Sequence, residues 1–144
     1  MTLVLDASVA LLWLLPQTNP DGADYACEAL AALRDGQAVV PSLLALEIAN
    51  VVAKLESKGL VTEADSQRYI AVLGRLNISV DQATAAHALG DTLNLARRYK
   101  LSVYDAAYLE LSLRTGMPLA TLDASLAKAA TTAGVAVFGK TRRP

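Results

Sequence analysis

Three aspartates stand where an α/β protein would place a reactive site. Asp6 directly follows the apolar run Thr2–Leu5, and Asp123 directly follows a later apolar run. Asp105 comes three residues after Ser102, at the start of a helical pattern. Carboxylates that converge on one place repel one another, and a divalent cation that prefers oxygen ligands relieves the repulsion. The pattern therefore favours metal-assisted hydrolysis of a phosphodiester, which needs no histidine.

Glu47 is the acidic residue with the most unusual surroundings. Its neighbours three and four residues away along a helix are apolar, except for Asn50. A carboxylate that faces a protein core is costly unless it is paired or bound to a cation. Asn50 is the nearest polar companion on that face. The alternative is a partly exposed charge that pairs with Lys54.

Each aspartate also has a simpler interpretation as a helix start. Asp6 and Asp123 are suitable caps for the helices that follow them, and Asp105 fits a variant of the capping box that begins at Ser102. These interpretations do not exclude a site. A cap that follows a parallel strand already points to the edge of the sheet where active sites form.

The bulk composition indicates one globular domain. The chain has 144 residues, of which 53% are hydrophobic, and we expect a domain over 1–139 followed by a basic tail over 140–144. No apolar run is long enough to span a membrane, and we expect no signal peptide. The unpaired Cys27 suits a reducing, cytoplasmic setting. The net charge of -1 argues against a protein that coats nucleic acid, and the single His87 excludes two-histidine nuclease chemistry within one chain.

Short apolar runs alternate with helical patterns along the chain, which predicts an α/β fold with a mostly parallel sheet. Most runs are continuously apolar, as in strands that are buried on both faces. The predicted strands are Thr2–Leu5, Ala38–Val40, Asn77–Val80, Leu119–Leu122 and Val135–Phe138. The predicted helices are Ser8–Leu15, Asp24–Arg34, Ser42–Ser57, Thr62–Leu76, Ala83–Tyr99, Ser102–Arg114 and Ala124–Ala133.

Around the acidic residues, the sequence resembles the PIN-domain nucleases, and most closely the VapC toxins of toxin-antitoxin pairs. Each matching segment is weak alone, but all of them occur in the family's order over nearly the whole chain. The segments are Val4–Ser8 (VLDAS), Pro41–Asn50 (PSLLALEIAN), Leu101–Tyr108 (LSVYDAAY) and Ala120–Leu126 (ATLDASL).

The resemblance implies a three-layer α/β/α domain with a central, mostly parallel sheet of five strands. It implies that the metal site, and with it the catalytic site, consists of Asp6, Glu47, Asp105 and Asp123. Ser8, Thr121 and Asn50 resemble the polar residues that support those ligands in the family. For Ser8 a helix cap, and for Thr121 a strand-end hydroxyl, are the alternatives.

The resemblance also implies a reaction and partners. The reaction is hydrolysis of RNA to a 5'-phosphate and a 3'-hydroxyl, with one or two Mg²⁺ or Mn²⁺ ions. The expected substrates are structured RNAs such as transfer or ribosomal RNA. The expected protein partners are a VapB-like antitoxin that covers the site and a second copy of the chain in a homodimer.

Basic residues close to the Asp105 segment are candidates for holding RNA. Arg97, Arg98 and Lys100 precede it, and the alternative is a solvated helix end that the helix dipole favours. The tail is a second candidate, although a disordered end is the simpler interpretation. Leu12 and Trp13 are expected to pack in the core; if exposed, they would mark a groove for an antitoxin helix.

Three other functions compete with the toxin interpretation. Aspartate-based phosphatases carry a second Asp two residues after the first, where this chain has Ser8. A housekeeping PIN-domain nuclease for RNA processing would share the whole acidic set. A non-catalytic binding module would use the acids only as caps, and metal-dependent cleavage would exclude it.

Overall fold

The computed structural model of the protein describes residues 1–139, and the tail over 140–144 lies outside the described residues. The strands are β1 (Thr2–Leu5), β2 (Gln37–Val40), β3 (Ile78–Val80) and β4 (Leu119–Ala120). The helices are α1 (Ala7–Leu12), α2 (Pro20–Ala32), α3 (Leu44–Ser57), α4 (Glu63–Arg75), α5 (Thr84–His87), α6 (Leu93–Tyr99), α7 (Val103–Thr115) and α8 (Ala124–Thr132). A short 3-10 turn lies at Pro16–Thr18 and a π turn at Ala88–Thr92.

The strands form a parallel sheet in the order β3-β2-β1-β4. Leu3, Val4 and Leu5 in β1 are completely buried, which explains why this strand is apolar throughout. Full burial of one such side chain stabilises the fold by about 1.5–3 kcal/mol. Because all the strands run in the same direction, their carboxyl ends meet at one edge of the sheet.

Helices cover both faces of the sheet, as predicted. On one face, α1 packs against α2 and α3, and the hydroxyl of Tyr69 in α4 donates to the carbonyl oxygen of Ala10 in α1, at 2.6 Å. On the other face, α7 packs against β1, β4, α6 and α8. Right-handed crossovers account for the two layers, because the chain moves from β1 to β3 in one direction and then returns past β1 to β4.

The sheet has four strands among the described residues, where five were predicted. The segment Val135–Phe138 makes one isolated parallel bridge, between Leu119 and Val137. Gly134 and Gly139, both with positive φ, turn the backbone away on either side of the segment and leave it too short for a ladder. Phe138 instead packs edge-on against Tyr25, with ring centroids 5.8 Å apart.

Several predicted helix boundaries are correct, and those of α1, α2 and α3 differ. Thr62 forms a capping box with Asp65, and Ser102 accepts from the backbone N–H of Asp105. α2 begins at Pro20 instead of Asp24, because the side chain of Asn19 caps it and proline suits the first position of a helix. Ser42 precedes α3 without capping it, and Ser8 lies inside α1.

The predicted helix Ala83–Tyr99 is interrupted. The π turn separates α5 from α6, and it includes Gly90, a residue with low helix propensity. Lys100 ends the run with φ 56°, a left-handed conformation that is uncommon for a residue with a side chain. This backbone turn carries the chain from α6 into α7, whose first turn contains Asp105.

An ion network joins β3 to α7. The guanidinium of Arg114 donates to both carboxylate oxygens of Asp81, at 3.1 and 2.6 Å, and to both oxygens of Glu110, at 2.8 and 3.0 Å. Asp81 directly follows β3, and Glu110 is buried in α7. The network therefore fixes the helix that carries Asp105.

Other sequence expectations concern the apolar residues of α1 and membrane spans. Leu12 is buried, and the indole Nε1 of the half-buried Trp13 donates to the carbonyl oxygen of Ala26, at 2.8 Å. Both side chains therefore pack against the domain, as predicted. Among residues 1–139, no helix has the length and apolarity that a membrane span requires.

Candidate functional site

The candidate site lies at the carboxyl edge of the sheet, between two neighbouring strands. Asp6 is the first residue after β1, and Thr121 is the first residue after β4. β1 and β4 are paired, with Leu5 opposite Ala120. This pairing brings Asp6 and Asp123 together although they are far apart in sequence.

Asp6 is buried and is held by two hydroxyl groups. Its side chain is enclosed by the surrounding elements, and the residue is 4% exposed. Ser8 Oγ donates to Oδ2 of Asp6 at 2.6 Å, and Thr121 Oγ1 donates to the same oxygen at 2.7 Å. Neither hydroxyl binds Oδ1, so these contacts leave that oxygen for another partner.

Backbone groups set the direction of both hydroxyls. The N–H of Leu122 donates to Ser8 Oγ, and the N–H of Asp123 donates to Thr121 Oγ1, each at 3.0 Å. A hydroxyl has one proton, and with a lone pair occupied by a backbone donor it turns that proton towards Asp6. Ser8 and Thr121 therefore hold Asp6 in one orientation. The helix-cap alternative for Ser8 is wrong, because its side chain makes these contacts instead.

Asp123 and Asp105 lie at helix starts near Asp6, Asp123 as the N-cap residue of α8 and Asp105 in the first turn of α7. Asp123 caps α8, since its Oδ1 accepts from the N–H of Leu126 at 3.0 Å. In α7 the roles differ: Ser102 provides the cap, and the backbone N–H of Asp105 is the donor. The cap interpretation is thus correct for the side chain of Asp123, and for Asp105 it applies only to the backbone. Asp6 occupies the N-cap position of α1 without a side-chain cap bond.

Glu47 is half-buried in α3 and reaches α7 through a hydrogen bond. The buried hydroxyl of Tyr108 donates to Oε1 of Glu47 at 2.5 Å. The partner is therefore Tyr108, and the alternative pair with Lys54 does not form. Tyr108 lies one turn after Asp105 on α7. The hydrogen bond therefore connects α3, which carries Glu47, with α7, which carries Asp105.

The pKa values of Asp6, Glu47 and Asp105 are raised in part by the charges of neighbouring carboxyl groups. Burial, followed by the charge of Asp123, raises the pKa of Asp6, although its hydroxyl partners oppose the shift. Burial raises the pKa of Glu47, with contributions from Asp6 and Asp105. Burial and the charges of Asp123 and Asp6 raise the pKa of Asp105. The site concentrates negative charge that no basic side chain in these contacts neutralises.

The donor set suits a hard divalent cation. All four side chains offer carboxylate oxygens, and a cation would relieve their repulsion. Among the described residues, however, no three Asp, Glu, His or Cys side chains form a ready-made metal-binding arrangement. Asp123 and Glu47 are turned towards protein donors. Mg²⁺ usually keeps several of its waters, so it fits a site whose outer carboxylates act through water.

The structure separates the remaining predicted residues. Asn50 is exposed on α3 and makes no hydrogen bond to the four acids in the described part of the chain. Arg97 and Arg98 are exposed at the end of α6, followed by Lys100. Arg98 lies 5.8 Å from the ring centroid of Tyr99. Tyr104, which precedes Asp105, is exposed.

The polar contacts of two tyrosines at the site were not predicted from the sequence. Tyr108 is completely buried, and its hydroxyl donates to Glu47. The hydroxyl of Tyr25 accepts from the backbone N–H of Thr121 at 3.3 Å, and burial raises the pKa of Tyr25 to about 12. Both lie on helices, where spacing alone does not distinguish a core aromatic from one with a polar contact.

Comparisons with known proteins identify the family of the chain. A family model described as the PIN domain matches residues 3–131. The chain is 30% identical to Ribonuclease VapC3 of Pyrobaculum aerophilum over 128 residues, which is 89% of this chain and 94% of the relative.

Solved structures share the fold. PAE2754 from Pyrobaculum aerophilum has 23% identity and a TM-score of 0.61, over 90% of this chain and 87% of that chain. VapBC2 from Rickettsia felis, bound to a DNA fragment from its promoter, has 17% identity and a TM-score of 0.60, over 85% and 88% of the two chains.

Proposed function

The chain belongs to the PIN-domain family, and from that premise we propose that it is a metal-dependent endoribonuclease, the toxin of a type II toxin-antitoxin pair. One observation supports the proposal: Asp6 lies buried at the carboxyl edge of the sheet, and the charges of Asp105 and Asp123 act with it on the neighbouring carboxyl groups. Burial and the charges of neighbouring acids raise the pKa values of Asp6, Glu47 and Asp105, an arrangement that is unfavourable without a cation.

The proposed ligands of Mg²⁺ or Mn²⁺ are Asp6, Glu47, Asp105 and Asp123. When bound, one or two such ions would supply a nucleophile at neutral pH and would offset charge that develops on the phosphate and the leaving oxygen. Asp6 is the best-oriented of the four residues, since Ser8 and Thr121 fix its Oδ2. Tyr108 orients Glu47 by donating a hydrogen bond to its Oε1.

The protein's own residues would position the RNA and exclude nonproductive geometries. The buried carboxylate of Asp6 fixes the point of attack, and Asp105 and Asp123, at their helix starts, surround it. We propose that phosphates of the RNA are held beside the acids by Arg97, Arg98 and Lys100. Asn50 is proposed to support the acidic ligands from α3. Transfer or ribosomal RNA is the proposed substrate class, in the cytoplasm.

A VapB-like antitoxin is the proposed protein partner. The relatives in the comparison include a VapBC assembly, and this chain has a groove of about 520 Å³ between α1, α2 and α4. Trp13, Leu60 and Val72 line the groove, and the last two are exposed. An apolar helix face of an antitoxin fits such a groove. A homodimer is proposed from the family alone.

Cleavage of labelled RNA tests the proposed activity. We expect the purified protein to cleave RNA with Mg²⁺ or Mn²⁺ and not with EDTA. Asp6→Asn, which preserves size and removes the charge, should abolish cleavage. Thermal unfolding of both proteins checks that the variant is folded.

Two outcomes would contradict the proposal. Equal cleavage by both proteins would assign the activity to a contaminant or to another site. Absence of cleavage of a broad panel of transfer and ribosomal RNAs, by protein freed of any antitoxin, would favour a binding module.

A further inference from the structure

A basic groove lies beside the acids, between the end of α6 and the exposed side of α8. Arg98, Tyr99 and Lys100 line one wall, and Ser125 and Lys128 line the other. Its volume is about 430 Å³. No acidic side chain lines it in the part of the chain that the structure describes. The positive charges of Arg98, Lys100 and Lys128 therefore attract an anionic ligand together.

Both walls of the groove lead directly to the candidate site. Lys100 comes two residues before Ser102, which caps the helix that contains Asp105. Ser125 comes two residues after Asp123, which caps α8. At a rise of 1.5 Å per residue, Lys128 lies about 7.5 Å from Asp123 along the axis of α8. A chain that lay in the groove would meet the acids at one end.

Charge complementarity identifies the occupant. The four acids repel a polyanion, so a substrate with a phosphate backbone needs positive surface beside them. We propose that the basic groove binds the phosphodiester backbone of single-stranded RNA and directs it to the acids. This inference rests on the proposed nuclease function and adds the track by which the substrate enters.

The groove assigns different roles to the basic residues. Arg98 and Lys100 line it together with Lys128, a residue that the sequence analysis did not select. Arg97 is not part of its lining, and its Nη1 donates to Asn94 at 3.2 Å. Tyr99 is half-buried and packs against the core, with the guanidinium of Arg98 over its ring. Arg98 and Lys128 should thus contribute more to RNA binding than Arg97.

The test measures binding separately from cleavage. Fluorescence anisotropy with labelled oligouridine would be recorded over a salt series, in the Asp6→Asn background so that the probe stays intact. We expect Arg98→Gln/Lys128→Gln to raise Kd at least tenfold at low salt. The slope of log K against log salt should decrease by about 1.4, since each lost contact with a single strand removes about 0.7.

Matched variants isolate the groove from net charge and from folding. Arg34→Gln/Arg75→Gln removes the same charge just before β2 and β3, at the opposite edge of the parallel sheet, and should leave Kd unchanged. Ser125→Glu places a negative charge in the groove at the first turn of α8, where the helix dipole tolerates it. It should weaken binding, whereas Ser125→Gln should not.

Each result decides for or against the groove. An unchanged Kd and slope in Arg98→Gln/Lys128→Gln, or an equal loss in the Arg34→Gln/Arg75→Gln control, would overturn the inference. If wild-type protein cleaves RNA with metal but the groove variants bind normally, only the groove is wrong. If the groove variants lose binding but wild-type protein never cleaves, the groove stands and the nuclease proposal fails.

Discussion

Replacing Asp105 with Asn should lower metal-dependent RNA cleavage by about 10²–10³-fold and, at the same time, stabilise the metal-free protein. The loss follows from the several kcal/mol that a bound cation contributes to the transition state, at about tenfold in rate per 1.4 kcal/mol. The gain follows because burial and the charges of Asp123 and Asp6 raise the pKa of Asp105. An ionised group with a raised pKa destabilises the fold.

The stability gain in Asp105→Asn should depend on pH, and the raised pKa of Asp105 sets the direction of that dependence. The cost of ionised Asp105 is fully present above its raised pKa in the folded protein. It disappears as the pH falls below the ordinary pKa of an aspartate, where the carboxyl group is protonated in both states. Asp105→Asn should therefore have a higher Tm than wild type at pH 7.5, and the difference should vanish at about pH 3–4.

Asp35→Asn is the matched control for Asp105→Asn. Asp35 is exposed and lies just before β2, away from the site. It should change neither cleavage nor the Tm at pH 7.5. If Asp105→Asn were less stable than wild type at pH 7.5 without metal, Asp105 would be a feature of the helix start instead of part of a strained acidic site.

Replacing Arg114 with Met should lower the free energy of unfolding by about 3–5 kcal/mol, because it leaves a buried carboxylate without its partner. Glu110 is buried beside Arg114, and its side chain is 6% exposed. Hydrogen bonds from Arg114 also lower the pKa of Asp81. Urea denaturation at pH 7, followed by circular dichroism, measures the loss.

The stability lost in Arg114→Met should also depend on pH. Asp81 has a lowered pKa in the folded protein, so its contribution is present above its ordinary pKa and is lost as the pH falls through the lowered value. The difference between wild type and Arg114→Met should therefore shrink in acid.

Two further variants test the cause of the Arg114 effect. Arg114→Met/Glu110→Leu should recover part of the stability, since it removes the unpaired charge as well. Arg68→Met breaks a pair with Asp65 that is largely exposed, and it should change stability little. A loss below about 0.5 kcal/mol in Arg114→Met would mean that solvent already screens the network.

The edge of the sheet at which Asp6 and Asp123 lie could be predicted from the sequence, because the carboxyl ends of parallel strands meet at one edge. An apolar run followed by Asp6 or Asp123 predicts the carboxyl edge, whichever strands are neighbours. The same rule does not identify Asp81, which also follows a strand. β3 lies at the edge of the sheet, two strands away from β1, and Asp81 pairs with Arg114.

Other features depend on contacts that the local sequence does not encode. Tyr108 reads as a core residue, and its bond to Glu47 joins residues 61 positions apart. The fifth strand has an apolar sequence, but the positive φ values of Gly134 and Gly139 limit it to a bridge. The π turn after His87 interrupts a pattern that is helical in composition throughout.

Binding of Mn²⁺ tests the central claim, that the four acids form one cation site. Isothermal titration calorimetry or electron paramagnetic resonance would measure the Mn²⁺ affinity of wild type, Asp6→Asn and Asp35→Asn. No RNA is present, so the result does not depend on cleavage. We predict saturable binding by wild type and Asp35→Asn, and an affinity at least tenfold lower in Asp6→Asn. Equal affinity in all three proteins, or no saturable binding by the folded wild type, would contradict the claim.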